Sequence, residues 1–241
     1  MDMVETSIPQ VVSEDDNILL VDKPGGMVCH SAQRLEQISL ADWLREHDVK
    51  TPRMINRLDR ETSGLVLVAK NQRAAKILGK AVLRREIEKK YLAICHGRFD
   101  QEQGVIDQPI AVSQTAAVYT KRVVDCMTGK PSVTEFEVKE ELRGFTVVDL
   151  KPRTGRAHQL RVHMAWLGHP IVGDKIYGND ETLYLQFIDR GVTEEMLETL
   201  LMPRHALHAE GVLFRHPSTG KRCEFQAPVP EDMRAFIEEH R

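Results

Sequence analysis

The chain has 241 residues, of which 41% are hydrophobic, and its formal net charge is −3. That length and hydrophobic content exclude a compositionally disordered protein and allow one sizeable core with a lobe attached, or two small domains. No apolar stretch approaches the roughly 18 to 20 residues that span a bilayer, and the first residues lack the basic and apolar regions of a signal peptide. We therefore expect a soluble, cytoplasmic protein.

The small net charge hides one basic segment. Residues 51–98 hold 12 Lys and Arg against 4 Asp and Glu, a local charge of +8, whereas the rest of the chain holds 21 basic and 32 acidic residues. A basic segment in an otherwise acidic chain favours a nucleic-acid partner, although a solvated basic helix face would give the same count.

The first part of the chain predicts two strands and two helices. Asn17–Asp22 is a short apolar run that stops at a Lys23–Gly26 turn, and Ser39–His47 has apolar residues at helical spacing after a Ser N-cap. Gly64–Lys70 reads as a buried strand, after which Asn71 starts a basic helix. Residues three to four apart share a helix face, so the helix predicts a surface with several of the cations Arg73, Lys76, Lys80, Arg84 and Arg85.

Further strands are predicted at Lys90–Cys95, Val133–Val138 and Phe145–Leu150. A polar turn, Lys139–Gly144, separates the last two, and His158–Leu167 reads as a helix that ends at Gly168. Strands and helices alternate without a regular βαβ period, which favours an α+β fold with a mixed, mostly antiparallel sheet. We expect a single domain over residues 11–241, after an N-terminal tail of residues 1–10, with an acidic helical insertion at residues 180–201 whose helix starts near Thr193.

One carboxylate lies between two arginines just before the predicted buried strand. In Asn56–Gly64, Asp59 is flanked by Arg57 and Arg60. Loops at the mouth of a sheet often hold functional side chains, but a structural Asp–Arg pair in a turn would have the same sequence. The residues of this segment alone leave both interpretations open.

A second candidate segment is Lys151–His163. It contains a Thr-Gly turn and then a predicted helix start with Arg156, His158 and Arg161 in its first turns. A helix N-terminus beside arginines is suited to bind phosphate or carboxylate. This segment therefore predicts an anion-binding surface.

Metal ligation is not favoured by the spacing of the His and Cys residues. His158 and His163 are five residues apart, so they do not share a face as the pair in a zinc-binding HExxH helix does. The cysteines form no CxxC pair, which argues against a zinc knuckle and a disulfide framework; they are Cys29, Cys95, Cys126 and Cys223. A metal-dependent hydrolase built on His158, His163 and His169 is therefore a weak alternative.

Taken together, five blocks of the chain resemble, in order, the RluA family of RNA pseudouridine synthases, and the similarity runs from about Val11 to Pro228. The blocks are Asn17–His30 (NILLVDKPGGMVCH), Arg57–Gly64 (RLDRETSG), Ile87–Gly97 (IEKKYLAICHG), Pro152–Gly173 (PRTGRAHQLRVHMAWLGHPIVG) and Arg204–Ala209 (RHALHA). The family block around the aspartate commonly begins with histidine, whereas this chain has Asn56. That departure puts substrate contacts in doubt and leaves the chemistry intact.

The resemblance implies the pseudouridine synthase fold, a curved mixed sheet flanked by helices with a central RNA-binding cleft, and it implies isomerisation of uridine without cofactor or metal. The family's nucleophilic aspartate falls on Asp59, and the arginine that helps displace the target base falls on Arg57. The active-site tyrosine falls on Tyr91. The basic residue that pairs with the aspartate falls on Arg161, with Arg156 as the alternative. We expect the short, single-domain type without an S4 domain.

These residue types suit the reaction. A carboxylate can form a covalent intermediate at a sugar or base carbon, and a uridine in structured RNA must first be flipped out, with a side chain such as Arg57 filling the gap. Tyr91 could stack on the extruded base and relay the C5 proton. The expected RNA-binding residues are Arg57, Arg60, Arg73, Lys76, Lys80, Arg84, Arg85, Lys89, Lys90, Arg156 and His158.

Several alternatives stay open at the level of sequence. Asp59 could attack the ribose C1′ or the uracil ring, and the RNA could be tRNA, ribosomal RNA or both. We expect a monomer without an obligate protein partner. A non-catalytic RNA-binding or RNA-folding protein of the same fold is the competing function, and it would tolerate Asp59→Asn.

Overall fold

A computed structural model describes residues 8–30, 38–178 and 180–241. The chain forms two compact units: the first comprises Met1–Lys89 and Ala209–Pro228, and the second comprises Lys90–His208 and Val229–Arg241. Of the helices in the described residues, none is both long and apolar enough to cross a membrane.

The elements follow the chain in a mixed order of strands and helices. In sequence they are β1 (Gln10–Glu14), β2 (Ile18–Lys23), α1 (Leu40–Glu46), β3 (Arg53–Met54), β4 (Ser63–Ala69), α2 (Gln72–Leu83), β5 (Glu88–His96), β6 (Gln103–Asp107), β7 (Ile110–Val112), β8 (Arg122–Val124), β9 (Val133–Glu141), β10 (Phe145–Pro152), α3 (Gln159–Trp166), α4 (Thr182–Arg190), α5 (Glu194–Leu200), β11 (Leu207–Arg215), β12 (Arg222–Gln226) and α6 (Glu231–Glu239).

The first unit is built on the strand order β1-β2-β4-β11, with β3 paired to β4 and β12 paired to β11. Every residue of β4 is buried, because the strand is apolar on both faces and one face receives α2 through Ala74 and Leu78. The core continues through Ile18 and Leu20 of β2 and Phe214 of β11. The segment with Asp59 leads directly into this buried strand.

The second unit has the strand order β5-β10-β9-β6 and a separate β7–β8 hairpin. β10 pairs antiparallel with both β5 and β9, and Leu150 of β10 lies opposite Tyr91 of β5. α3 packs through Val162 into a small core with Ile110, Val118 and Tyr177. This packing places the first turn of α3, through Val162, beside Tyr177, which lies in the segment after the helix.

The structure confirms the α+β class and most of the predicted elements. Ser39 caps α1 in a capping box with Asp42, Asn71 caps α2 through its side chain, and Thr193 caps α5. The acidic segment predicted as helical holds α4 and α5. The single-domain boundaries stay a prediction, and residues 1–7 of the predicted tail lie outside the described residues.

Two predicted boundaries are wrong. The polar stretch from Lys139 continues β9 to Glu141, because Glu140 and Glu141 still pair with Val147 and Thr146 of β10, while Lys139 is the extra residue of a bulge in β9. The turn is therefore confined to the residues before Phe145. α3 begins only at Gln159, because His158 has a left-handed backbone (φ 58°), so Arg156 and His158 precede the helix.

Candidate active-site residues

The backbone on both sides of Asp59 is held by hydrogen bonds within the first unit. The thiol of Cys29 lies 3.4 Å from both the amide nitrogen and the carbonyl oxygen of Leu58. The carbonyl of Arg60 accepts hydrogen bonds from the backbone N–H of Gly26 (2.8 Å) and from the buried ammonium of Lys23 (3.2 Å). Leu58 and Arg60, the residues on either side of Asp59, are thus each hydrogen-bonded to residues outside the loop.

Lys23 acts here as a buried donor. Its Nζ also donates to the carbonyls of Pro24 (2.8 Å) and Met27 (2.9 Å), so three carbonyl oxygens share one ammonium group. A buried ammonium needs such partners because leaving it without hydrogen bonds would cost several kcal/mol, on the order estimated for unpaired buried charges. The Lys23–Gly26 turn predicted from its glycines is therefore also the support of the Asp59 segment.

Asn56 and Gly64 join the two ends of this segment to β4 and β11. The Asn56 amide donates to the carbonyl of Leu65 (2.9 Å) and accepts from the N–H of Leu67 (2.8 Å). Gly64 has φ +107°, and a Cβ there would lie 2.4 Å from the carbonyl oxygen of Ala209. The Asn56 side chain therefore holds backbone groups of β4.

The cations of α2 share one exposed face, as the sequence predicts. Successive helical residues turn by about 100°, so Arg73, Lys76, Lys80 and Arg84 fall within about 80° of one another and extend over about 16 Å. All four are exposed, and the opposite face packs in the core through Ala74. Within the described part of the chain, Arg73, Lys76 and Lys80 form no ion pair, whereas Arg84 lies 3.9 Å from Glu86.

Tyr91 and its neighbours lie on or beside β5. Tyr91 is buried, with 8% of its surface exposed. Lys90 lies 3.1 Å from the buried carboxylate of Asp149, which Lys139 also approaches at 3.4 Å, so part of the positive charge predicted to face RNA is neutralised. Burial lowers the pKa of Lys89. Arg85, the other cation after α2, is exposed and has φ 58°.

The segment before α3 is organised by Gln159. Its carbonyl oxygen accepts from the Thr154 hydroxyl (2.8 Å) and from the Arg156 N–H (3.0 Å), and its amide donates to the carbonyl of Val133 (2.9 Å). The Thr-Gly turn is thereby tied to β9. Arg156 is exposed and donates through Nε to the carbonyl of Pro131.

Arg161 is buried and paired with Asp174. Its Nε lies 2.6 Å from Oδ2 and its Nη2 lies 2.8 Å from Oδ1, and the two side chains are 6% and 0% exposed. Burial alone would raise the pKa of Asp174, but the charge and hydrogen bonds of Arg161 hold that pKa well below its ordinary value. The guanidinium also lies over the ring of Tyr177, 5.0 Å from its centroid.

The histidines proposed for a metal site have protein partners. Nδ1 of His158 lies 2.8 Å from the Tyr177 hydroxyl, and His163 is buried between the Thr134 hydroxyl (2.8 Å) and the Gln108 carbonyl (3.0 Å). Nδ1 of His169 lies 3.0 Å from the carbonyl of His96. Across residues 8–30, 38–178 and 180–241, no group of three His, Cys, Asp or Glu side chains could hold a metal ion.

The structure thus places Arg57, Asp59, Arg60 and the basic helix in the first unit, and Tyr91, Arg156, His158 and Arg161 in the second. Arg57 is exposed, and Asp59 is half-buried. Asp174, the residue directly after the Pro152–Gly173 block, is not predicted from the sequence. A buried arginine needs a partner of opposite charge, and a search for a carboxylate near Arg161 in the sequence is the signal that could have identified Asp174.

Comparison with known proteins agrees with the motifs. Residues 17–166 match the family model described as RNA pseudouridylate synthase. The chain is 37% identical over 236 residues to the ribosomal large subunit pseudouridine synthase D of Vibrio parahaemolyticus, covering 95% of this chain and 69% of that protein. It is 36% identical over 233 residues to an uncharacterized RNA pseudouridine synthase of Bacillus subtilis, covering 93% of this chain and 70% of that protein.

Solved structures show the same fold. Human RNA Pseudouridylate Synthase Domain Containing 1 matches with a TM-score of 0.73 and 28% identity, over 95% of this chain and 87% of that one. Human RNA Pseudouridylate Synthase Domain Containing 4 matches with a TM-score of 0.72 and 24% identity, over 95% of this chain and 91% of that one.

Proposed function

This chain belongs to the RluA-type branch of the RNA pseudouridylate synthase family, and from that membership we propose that Asp59 is the nucleophile with which it isomerises uridine in RNA to pseudouridine. The observation that carries the assignment is the intact Arg57-Leu58-Asp59 core, inside the matched residues 17–166, on a loop whose backbone is fixed on both sides of Asp59. None of the comparisons favours a non-catalytic RNA-binding protein.

The reaction breaks the bond between uracil N1 and ribose C1′, turns the base and joins C5 to C1′; C5 loses a proton and N1 gains one, so the product is an isomer of the substrate. Asp59 attacks either C1′ or the uracil ring; both routes require a carboxylate, which is ionised at neutral pH because the reference pKa of Asp is about 3.9. The family motif assigns to Arg161 the role of the basic residue that pairs with the nucleophile, with Arg156 as the alternative.

Flipping the uridine out of its RNA costs a few kcal/mol. Arg57 is exposed, and it fills the gap that the uridine leaves. Stacking of the base on Tyr91 returns about 1 to 3 kcal/mol, and the Tyr91 hydroxyl can relay the C5 proton, accepting it while it gives up its own. We assign these roles to Arg57 and Tyr91 from their positions in the family's motifs.

The substrate we propose is large-subunit ribosomal RNA. Relatives from Vibrio parahaemolyticus and Escherichia coli, 37% and 35% identical, are named ribosomal large subunit pseudouridine synthase D. Transfer RNA is the alternative. A cytoplasmic location, a monomeric state and the absence of an obligate protein partner stay predictions of the sequence.

RNA phosphates bind to the exposed face of α2, joined by the other predicted cations. If about six cations contact phosphates, RNA affinity falls on the order of a thousandfold between 50 and 200 mM salt. Replacing Lys76 by Gln should reduce the slope of log affinity against log salt by about one, measured by filter binding. Lys221→Gln, in the exposed turn after β11, is the matched control and should leave the slope unchanged. A flat salt response of the wild type would contradict this binding mode.

The function is tested by tritium release from RNA that carries 5-tritiated uridine. We compare wild type, Asp59→Asn and Asp59→Ala on ribosomal RNA and on total tRNA. Release by the wild type alone, from ribosomal RNA, is the expected result. Release by Asp59→Asn at the wild-type rate would exclude Asp59 as nucleophile, and release from tRNA alone would overturn the proposed substrate.

A further inference from the structure

We propose that RNA binding by Arg156 is sensitive to acid, because a buried chain of hydrogen bonds holds the turn that carries Arg156 only while His163 is neutral. The chain runs from His163 through Thr134 to Gln159, and these three residues are each at most 4% exposed. They are therefore positioning residues, which act through the turn and do not contact the RNA. The inference rests on the proposed function, since it takes RNA as the ligand of Arg156.

The carbonyl of Gln108 decides which nitrogen of neutral His163 carries the proton. A carbonyl oxygen can only accept, so Nε2 of His163, 3.0 Å away, is the donor. Nδ1 is then an acceptor, and it receives a hydrogen bond from the Thr134 hydroxyl at 2.8 Å. Neutral His163 thereby fixes the direction in which the Thr134 hydroxyl points.

Gln159 continues the chain with a fixed orientation of its amide. Its Nε2 donates to the Thr134 hydroxyl oxygen (3.0 Å) and to the carbonyl of Val133 (2.9 Å). Its carbonyl oxygen accepts from the Thr154 hydroxyl (2.8 Å) and from the Arg156 N–H (3.0 Å). Because the Val133 carbonyl cannot donate and the Arg156 N–H cannot accept, a flipped amide would set acceptor against acceptor and donor against donor.

Arg156 lies at the end of the chain. Its backbone N–H is held from the buried side by Gln159, and the hydroxyl oxygen of Thr154 accepts from the N–H of Val133 (2.9 Å). The Arg156 side chain is exposed, with Nε 3.2 Å from the carbonyl of Pro131. The turn thus presents an arginine to solvent from a backbone that a buried amide holds, and a guanidinium in that position can bind an RNA phosphate.

A second proton on His163 conflicts with this chain. Both ring nitrogens of a protonated histidine are donors, so Nδ1 can no longer accept from the Thr134 hydroxyl. The hydroxyl proton then needs another acceptor, because a buried donor without a partner is unfavourable. A flipped Gln159 amide would offer its carbonyl oxygen to that proton, but it would withdraw the same oxygen from the Arg156 N–H.

The surroundings of His163 keep it neutral at neutral pH. Burial lowers the pKa of His163, whereas the hydrogen bond to Gln108 and the charge of Asp107 raise it, and the pKa lies below its ordinary value of about 6.5. Asp107 acts from the end of β6, while β9 and α3 contribute the neutral side chains of Thr134 and Gln159. The affinity that the turn supplies is therefore complete above about pH 6.5 and is lost as pH falls through the lowered pKa.

The test measures affinity for ribosomal RNA by filter binding between about pH 7.5 and pH 4.5, with circular dichroism to confirm the fold at each pH. His163→Gln keeps a donor and an acceptor but cannot take up a proton. It should bind within about threefold of wild type at pH 7.5. At pH 4.5 the wild type should bind about tenfold more weakly than this variant, the effect of one lost contact to a charged group. Its salt slope there should be smaller by about one.

Arg156→Gln shows whether the acid response passes through the turn. This variant should bind about tenfold more weakly than wild type at pH 7.5, and the double variant Arg156→Gln/His163→Gln should match it at every pH. His216→Gln is the matched control, because His216 is also buried and is hydrogen-bonded at both ring nitrogens, to Asp15 (2.7 Å) and to the N–H of Thr219 (3.2 Å). It should retain the wild-type acid response.

Two results overturn the inference. The first is an equal loss of affinity in acid for wild type and His163→Gln. The second is a difference in acid between Arg156→Gln and the double variant, because His163 would then act on the fold as a whole. If His163→Gln does not fold, Thr134→Val decides, since it removes the hydroxyl that links His163 to Gln159 and keeps the shape of the side chain. Loss of the acid response in Thr134→Val supports the chain, and a wild-type response contradicts it.

The proposed function and this inference fail in different ways. Tritium release from ribosomal RNA at about pH 7.5 tests the function and does not depend on the acid response. If wild type releases tritium and Asp59→Asn does not, but His163→Gln responds to acid as wild type does, only the role of His163 is wrong. If wild type releases none, the proposed function is wrong. If Arg156→Gln binds RNA at pH 7.5 as wild type does, Arg156 does not contact the RNA and the inference falls with it.

Discussion

Hydrogen bonds hold the backbone of the segment that carries Asp59, whereas a buried carboxylate holds the side chain of Arg161. In the first unit, Lys23, Cys29 and Asn56 bind backbone atoms of neighbouring residues. In the second unit, the guanidinium of Arg161 is bound by the buried carboxylate of Asp174 and lies over the ring of Tyr177. A backbone can be held by several side-chain types, but a guanidinium needs a carboxylate of fixed geometry. Side-chain substitutions that keep a hydrogen-bond donor or acceptor should therefore be tolerated at Asn56 and Cys29 more than at Asp174.

The largest effect should come from closing the space at Gly64. Gly64→Ala places a methyl 2.4 Å from the Ala209 carbonyl oxygen at φ +107°, so we expect a loss of about 4 kcal/mol or more of unfolding free energy, measured by urea denaturation. Gly26→Ala is the matched control, with φ +90° but nothing within 4 Å of the added Cβ. It should cost about 1 kcal/mol. Equal losses would mean that the approach to Ala209 does not matter.

Asn56 allows a test of whether a side chain that holds backbone groups can be replaced by another side-chain type. Asn56→Ala removes the bonds to Leu65 and Leu67 and should cost about 2 kcal/mol. Asn56→His, the residue common in the resembling family, has one ring N–H and one acceptor nitrogen, and it should retain most of the stability and of the tritium release. If the His variant were as unstable as the Ala variant, His could not replace the two backbone hydrogen bonds of Asn56.

Acid should affect the Arg161 pair through Asp174. Burial raises its pKa, the arginine more than offsets this, and the pKa in the folded protein lies below the value of about 3.9 of an unfolded Asp. The stability contributed is complete above about pH 4 and is lost as pH falls toward the folded pKa, at about 1.4 kcal/mol per pH unit for one proton. Urea denaturation of wild type between pH 4 and pH 2.5 should therefore show a steeper decline than that of Asp174→Asn. Parallel curves would contradict the depressed pKa.

The smallest effect is expected at Cys29. Cys29→Ala removes a weak thiol contact with both backbone groups of Leu58 and should cost about 1 kcal/mol. Because Leu58 precedes Asp59, we also expect a several-fold lower rate of tritium release. Cys126→Ala, at an exposed thiol, should change neither quantity. A Cys29 variant with unaltered stability and rate would show that Lys23 and Asn56 suffice to hold the segment.

Local signals were enough to predict the elements on which the candidate residues lie. The Ser39 and Asn71 caps, the buried run of β4 and the cation spacing on α2 are properties of neighbouring residues, and each is found as predicted. The predicted start of α3 and the predicted turn after β9 are wrong, because the left-handed backbone of His158 and the bulge in β9 leave no signal in the local sequence pattern.

By itself the sequence determined the family, the reaction and the candidate nucleophile, because five motifs in order are a linear property of the chain. Only the tertiary structure revealed that Lys23 supports the Arg60 carbonyl, 37 residues away, and that Asp174 holds Arg161, 13 residues away. The physical reason is that buried charges need partners, and the partner is chosen by which chain segments meet in space. Sequence indicates that such a partner must exist, and the packing of the loops decides which residue it is.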